Sequence, residues 1–335
     1  MNSTLSLTGL IGSNPLGFLA ALGCLRILGA KEPVLLSWEL TDEWRARLHF
    51  LNSAEESVLR NYVIAELVSF ASRRALSSEL TFADSIPKAK KGKKAEFACD
   101  IKILPEQYAQ FVGASVTAAT PANHELVDWF AAFGSELMTD KTPERKVKPT
   151  AFHMTAGQQK FLDRVQKLIE AMKKATVQRK GRNSRSPEDR FGETLFGPWK
   201  YIDEQNALGW DPVTENVRAL SAEKSDPDNV LSVQGAVYLA FHALPLFPTA
   251  VTDHRLMTTA FKDFDDGTAL TWPLWEEPLS LDSIRTALHL TELQQPSPDT
   301  GGLRRRGVTA VMRSVRGDIG GKGLAILRNA VVVTG

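Results

Sequence analysis

Cysteine is scarce in this 335-residue chain: Cys24 and Cys99 stand alone, with no Cys-x-x-Cys spacing and no histidine beside either. Two such residues build neither a disulfide framework nor a structural zinc site, so both read as reduced core side chains of a cytoplasmic protein. Histidine is almost as rare, with six in the chain. No apolar run is long enough for a bilayer. The most apolar stretch, Leu16–Leu28, contains Arg26 and falls short of the roughly 20 residues a spanning helix needs. The opening MNSTLSLTG has no basic residue ahead of an apolar run, so no secretory leader is expected. Net charge is also lacking: 40 Lys and Arg against 39 Asp and Glu leave +1. With 43% apolar residues the composition excludes intrinsic disorder, and the length predicts two domains or one elaborated one.

The small total hides a mosaic. Residues 1–140 carry 13 basic and 16 acidic side chains, and residues 141–190 carry 14 and 5. Residues 191–300 carry 6 and 17, and residues 301–335 carry 7 and 1. Binding follows the local field rather than the sum, so a nucleic-acid partner remains open.

Patterning predicts an α+β protein, with a helix-rich N-terminal half holding a short antiparallel sheet and a mixed strand/helix C-terminal half. A strand at Leu5–Leu10 precedes a helix capped by Asn14, with Pro15 at its first position and Gly29 as its stop. Strands follow at Val34–Leu40 and Arg45–Leu51, then a helix through Leu59, Val63, Leu67 and Phe70. A strand at Phe97–Leu104 and helices near Glu106–Ala114 and His124–Leu137 come next, the last capped by Asn123. The clearest helix is Gln158–Ala175, with an exposed loop expected over Val177–Phe191. Helices around Val233–Leu244 and after Ser280, and strands at Leu256–Phe264, Thr268–Trp275, Val308–Val315 and Leu324–Val333, complete the chain. These runs divide it into an α+β domain at 1–150, a basic helix and loop at 151–200, and a second α+β domain at 201–335.

Enzymatic signals are thin. Asp253-His254 and Asp263, Asp265 and Asp266 form the densest acidic and histidine grouping, the only basis for a metal-dependent nuclease. Asp265-Asp266-Gly267 reads more simply as a hairpin turn. Gly317–Gly323 lacks the phosphate-loop pattern, and no Gly-x-Ser-x-Gly elbow occurs. Gly9–Gly12 opens a helix and could meet an anion, although close packing accounts for those glycines as well. No cofactor is expected.

Four basic clusters carry the stronger signal: Lys88, Lys90, Lys91, Lys93 and Lys94; Lys173, Lys174, Arg179, Lys180, Arg182, Arg185 and Arg190; Arg304, Arg305 and Arg306; and Arg313 with Arg316. Each sits beside glycine or in a predicted loop, where side chains and backbone N–H groups both reach phosphates. Asn183 and Arg185 at one loop tip are suited to base edges. Trp210, Trp272 and Trp275 read as core or interface anchors. A protein–protein scaffold with basic loops is the remaining alternative.

The segment Leu7-Thr8-Gly9 … Asn14-Pro15-Leu16-Gly17-Phe18-Leu19-Ala20-Ala21-Leu22-Gly23-Cys24-Leu25-Arg26-Ile27-Leu28 resembles the opening of large-subunit-like proteins of type I CRISPR effector (Cascade) complexes, nearest to subtype I-U/I-G. Gly209-Trp210-Asp211-Pro212 with Arg218-Ala219-Leu220 is similar to a later landmark of that family. So are Leu244–Thr249, Trp272-Pro273-Leu274-Trp275 and Pro278-Leu279. The resemblance implies a non-catalytic subunit of an RNA-guided surveillance complex. Such a subunit contacts the crRNA 5′ region, the double-stranded DNA motif flanking the target (PAM) or the displaced strand, meets other subunits, and helps recruit the helicase–nuclease. Guide pairing then supplies specificity, leaving the protein backbone contacts and a few base-edge readers. No catalytic residue, metal or membrane contact is implied.

Overall fold

The chain enters as a strand, β1 (Ser3–Ile11), and turns into a helix, α1 (Pro15–Gly29). The computed structural model describes residues 3–73, 100–141, 143–155, 160–175, 184–204, 208–213, 231–319 and 324–334. As the sequence predicts, the Asn14 side chain accepts from the N–H groups of Leu16 and Gly17, and Pro15 opens the helix. Those donors are thereby satisfied by the chain itself, which leaves the anion reading of Gly9–Gly12 without a function. All of α1 is buried except Arg26 and Gly29, so it runs through the centre of the core.

Strands β2 (Val34–Leu40) and β3 (Trp44–Phe50) pair antiparallel, and β1 joins on the other side of β3, giving the order β1-β3-β2. Trp44, Ala46, Leu48 and Phe50 turn inward, while Arg45, Arg47 and His49 alternate onto the outer face. Helix α2 (Glu56–Arg73) follows, burying Leu59, Val63, Leu67 and Ala71 along one stripe.

The expected strand at Phe97–Leu104 does not form over its described part. Residues 100–104 are irregular, because Ile101 and Ile103 are buried while the Asp100 carboxylate turns back to accept from the Ile101 N–H. Helix α3 (Pro105–Ala118) comes next, then α4 (Glu125–Phe133). The last of these starts from His124 without a side-chain cap, so Asn123 is not the cap. It also stops at Phe133 rather than Leu137: Gly134 is extended and begins strand β4 (Gly134–Thr139), which pairs with β5 (Val147–Pro149).

Helix α5 (Phe161–Lys173) carries the apolar stripe expected of it, from Phe161 to Met172. The loop expected through Phe191 ends early, because Pro187–Phe196 is a helix, α6. Ser186 accepts from the Asp189 N–H, and the Asp189 carboxylate accepts from the Ser186 N–H. Ser-Pro-Glu-Asp is thus a capping box with proline at the first helical position, a signal legible in the residues themselves.

A short pair, β6 (Asp203–Glu204) with β7 (Leu231–Ser232), precedes α7 (Gln234–Ala243), which is buried throughout and lies against α1. A Cβ on Gly23 would stand 1.7 Å from the Leu239 carbonyl oxygen, so glycine is what permits this helix contact. The strand expected at Leu256–Phe264 is two strands: β9 (Arg255–Thr258) pairs with β8 (Thr249–Thr252), while β10 (Phe261–Phe264) pairs with β11 (Gly267–Leu274). The break falls at Ala260, whose φ of 67° ends the extended run. After α8 (Leu281–Leu288) and α9 (Thr300–Arg305), strand β12 (Ala310–Ile319) pairs with β11, β13 (Leu324–Leu327) and β14 (Val331–Thr334).

The fold is therefore α+β, with small antiparallel sheets around a helical centre. One buried cluster runs from Leu5 to Leu327 and draws on all three sequence segments, 1–150, 151–200 and 201–335. Among the described residues no helix is long and apolar enough to cross a membrane.

Candidate nucleic-acid interface

Nine of the residues expected to touch nucleic acid, Lys88, Lys90, Lys91, Lys93, Lys94, Arg179, Lys180, Arg182 and Asn183, lie outside the described residues. The others divide sharply by environment. Lys174 is exposed at the end of α5, and Lys173 beside it pairs with Glu170. Arg304, Arg305 and Arg306 are exposed at the end of α9, with Arg306 2.8 Å from Glu292. Their backbone turns at Gly307, whose φ is 82°.

Arg185, Arg190, Arg313 and Arg316 correct the expectation of outward-facing cations. Arg185 bonds Asp203 at 2.7 Å and pairs with Glu193, and its side chain is only 11% exposed. Arg190, the next basic residue, is 1% exposed; it lies 3.7 Å from Asp203 and donates to the carbonyls of Ala171 and Lys174. Asp203 in turn accepts from the Gln234 N–H, and Glu193 from the Lys200 N–H. Two arginines and two carboxylates thus lock the end of α5, α6 and the start of α7 together. These described residues form a stem held at Lys174 and at Arg185.

Arg313 is buried in β12. It donates to Thr271 Oγ1 and to the carbonyls of Gln295 and Pro296, and its guanidinium lies 3.9 Å over the Phe264 ring. Arg316 donates to the His153 carbonyl. Burial presses the pKa of both guanidiniums downward. The groups that cover these two side chains, Phe264, Gln295 and Pro296 for Arg313 and His153 for Arg316, come from elsewhere in the chain, which the basic run alone does not reveal.

The acidic and histidine grouping resolves into turns. Asp253 and His254 are the two loop residues between β8 and β9, with φ of 50° and 58°. Both positive values mark the tight turn that matches strand twist. Asp265-Asp266 is the corresponding two-residue loop between β10 and β11, as expected. Among the described residues no three His, Cys, Asp or Glu side chains gather as a metal site would require. Of the two cysteines, Cys24 is fully buried, its thiol pushed up to about 12 by burial, and Cys99 lies outside the described residues.

The burial of Asp100 and Asp211 is not legible in the sequence. Burial acts to raise the Asp100 carboxyl, but the hydrogen bond and charge of His153, 3.2 Å away, and the nearby Lys160 outweigh it and hold it below the usual range. Among the described residues Asp211 meets no such cation: burial pushes its carboxyl up, against hydrogen bonds from the Val213 N–H and the side chains of Tyr201 and Asn14.

The three tryptophans are core anchors, as expected, each 1% exposed or less. Trp210 donates to the Phe152 carbonyl, Trp272 to Gly12 and Trp275 to Leu36.

Beside this core a cleft of ≈ 660 Å³ opens between the outer face of the β1-β3-β2 sheet and residues 196–201. Thr8, Glu39, Asp42 and Arg45 form one wall, and Phe196, Trp199 and Tyr201 the other. Gly9 brings the walls together, since a Cβ there would lie 2.5 Å from the Thr194 carbonyl. None of these residues falls in the four basic clusters. The signal was the alternation of Trp-Arg-Ala-Arg-Leu-His-Phe in β3, which places Arg45, Arg47 and His49 on one face. No family model and no curated protein matches this chain.

Proposed function

We propose that the chain is a non-catalytic, nucleic-acid-contacting subunit of an RNA-guided CRISPR surveillance complex in the cytoplasm. In this reading it contacts the crRNA 5′ region and the duplex flanking the target, and presents a surface to other subunits and to the helicase–nuclease. One observation supports it above the rest: the described landmark segments behind the resemblance meet in a single connected nucleus. Trp272 bonds Gly12 across 260 positions, and Phe18 stacks on both Trp272 and Trp38, 5.5 and 5.8 Å away. Asn14 and Asp211 are hydrogen-bonded, and Phe152 joins Trp210 to Phe247.

Phosphate contact falls in this reading to Lys174, the Arg304–Arg306 turn, and Arg179, Lys180 and Arg182. The test is duplex binding across a salt series, with Lys174, Arg179, Lys180, Arg182, Arg304, Arg305 and Arg306 replaced by glutamine. Each lost phosphate contact should make the log–log salt slope shallower by about 0.9. Unchanged affinity and slope would overturn the reading. Magnesium-dependent cleavage by the purified chain would establish the nuclease instead.

A further inference from the structure

The cleft beside β1 differs from the basic clusters in its charge. Arg45 bonds Asp42 at 2.9 Å and also donates to the Thr8 carbonyl, and Arg47 bonds Glu39 at 2.9 Å. Each guanidinium along this wall is matched by a carboxylate, so the wall does not by itself concentrate phosphate. It does present donors and acceptors side by side, as the edge of a flat, uncharged ring requires.

The facing wall is aromatic and held in place. Trp199 donates to the Thr194 carbonyl at 3.1 Å, and Tyr201 stands 6.2 Å from it at 73°. Phe196 is covered by the Arg60 guanidinium at 3.9 Å. Tyr201 has φ of 51°, a backbone conformation an aromatic residue rarely adopts and one that carries a strain cost of about 1 kcal/mol or more. Its hydrogen bond to buried Asp211 fixes it there. Strain maintained by a buried partner at the lip of a cleft marks a shape that is kept ready rather than formed on contact. The volume falls within the roughly 300–1,000 Å³ of small-ligand sites.

We propose that this cleft holds one unpaired, amino-bearing nucleobase of a single-stranded segment, stacked on Trp199 with its edge against Glu39 and the Arg45–Asp42 pair. The carboxylates accept from the exocyclic amino group, and the Arg45 guanidinium donates to a ring acceptor. The inference rests on the nucleic-acid reading above and adds a contact that the basic clusters do not supply.

Trp199 is its own reporter, because the other six tryptophans, Trp38, Trp44, Trp129, Trp210, Trp272 and Trp275, are all buried. Short single-stranded oligonucleotides of cytosine, adenine or thymine, and an abasic strand of equal length, are titrated into the full chain while tryptophan emission and acrylamide quenching are read. Cytosine and adenine strands should quench and shield Trp199, thymine less, and the abasic strand not at all. Trp199→Ala should weaken cytosine-strand binding about tenfold, as loss of one stacked base does. Trp199→Phe should keep the affinity and lose the emission change, which serves equally if the alanine variant fails to fold. Strands that bind with normal salt dependence but leave Trp199 unaffected, or that bind as well when abasic, overturn the cleft and leave the proposed function standing. No binding even in low salt overturns both.

Discussion

Arg185 and Arg305 belong to equally basic stretches of sequence, yet one is locked inside a stem and the other ends a helix in water. Around Arg185 two carboxylates, Asp203 at 1% and Glu193 at 6% side-chain exposure, converge with Arg190. Around Arg305 the backbone simply turns. The lesson of the pair is that acidic residues brought close by the fold, rather than the density of arginines, decide whether a cluster holds the protein together or reaches outward. Arg185→Ala breaks the comparison most directly. It leaves two buried carboxylates short of a cation, which costs about 3–5 kcal/mol, whereas Arg305→Ala should stay within about 0.5 kcal/mol. Urea unfolding midpoints measure both. A loss below about 1 kcal/mol for Arg185→Ala would mean that the stem is open to water.

Arg313 extends the contrast to a single strand. Arg313→Met gives up three hydrogen bonds and the contact with Phe264 while keeping much of the packed stem of the side chain, and should cost about 2 kcal/mol. Thermal unfolding gives the loss, and duplex affinity should stay where it is. A shallower salt slope in this variant would place Arg313 at a phosphate and undo the division between inward and outward arginines.

Local chemistry in the sequence was enough for much of the fold. Asn14-Pro15 announced α1, the alternation of β2 and β3 announced their pairing, and Asp265-Asp266-Gly267 announced a turn. Each of these depends on neighbours a few residues away. The capping box at Ser186 was equally local, but the basic residues around it drew the segment into a loop. What stayed hidden depends on distant partners. Arg185 and Asp203 meet only because α6 folds back on the end of α5, and the burial of Arg313 is decided by Phe264, Gln295 and Pro296. Likewise the cleft needs β1, β3 and residues 196–201 together, while its one sequence trace, the alternating arginines of β3, is outnumbered by longer basic runs elsewhere.

The smallest effects separate Asp100 from Asp211, which carry the same comparison to the acid side: Asp100 has cations in reach and Asp211 has none among the described residues. Asp100 is held below its unfolded value of about 3.9. Its contribution is therefore present above about pH 4 and lost as the pH falls through the lower folded value. Asp211 is raised, so its contribution is complete below about pH 4 and fades as the pH climbs through the higher folded value. Asp100→Asn should consequently be less stable than the parent near neutrality, with the gap closing in acid. Asp211→Asn should match the parent in acid and gain on it as the pH rises. Unfolding midpoints of both variants across a pH series give the two differences directly. If they run parallel, the presence of His153 and Lys160 beside one carboxylate and not the other is not what sets them apart.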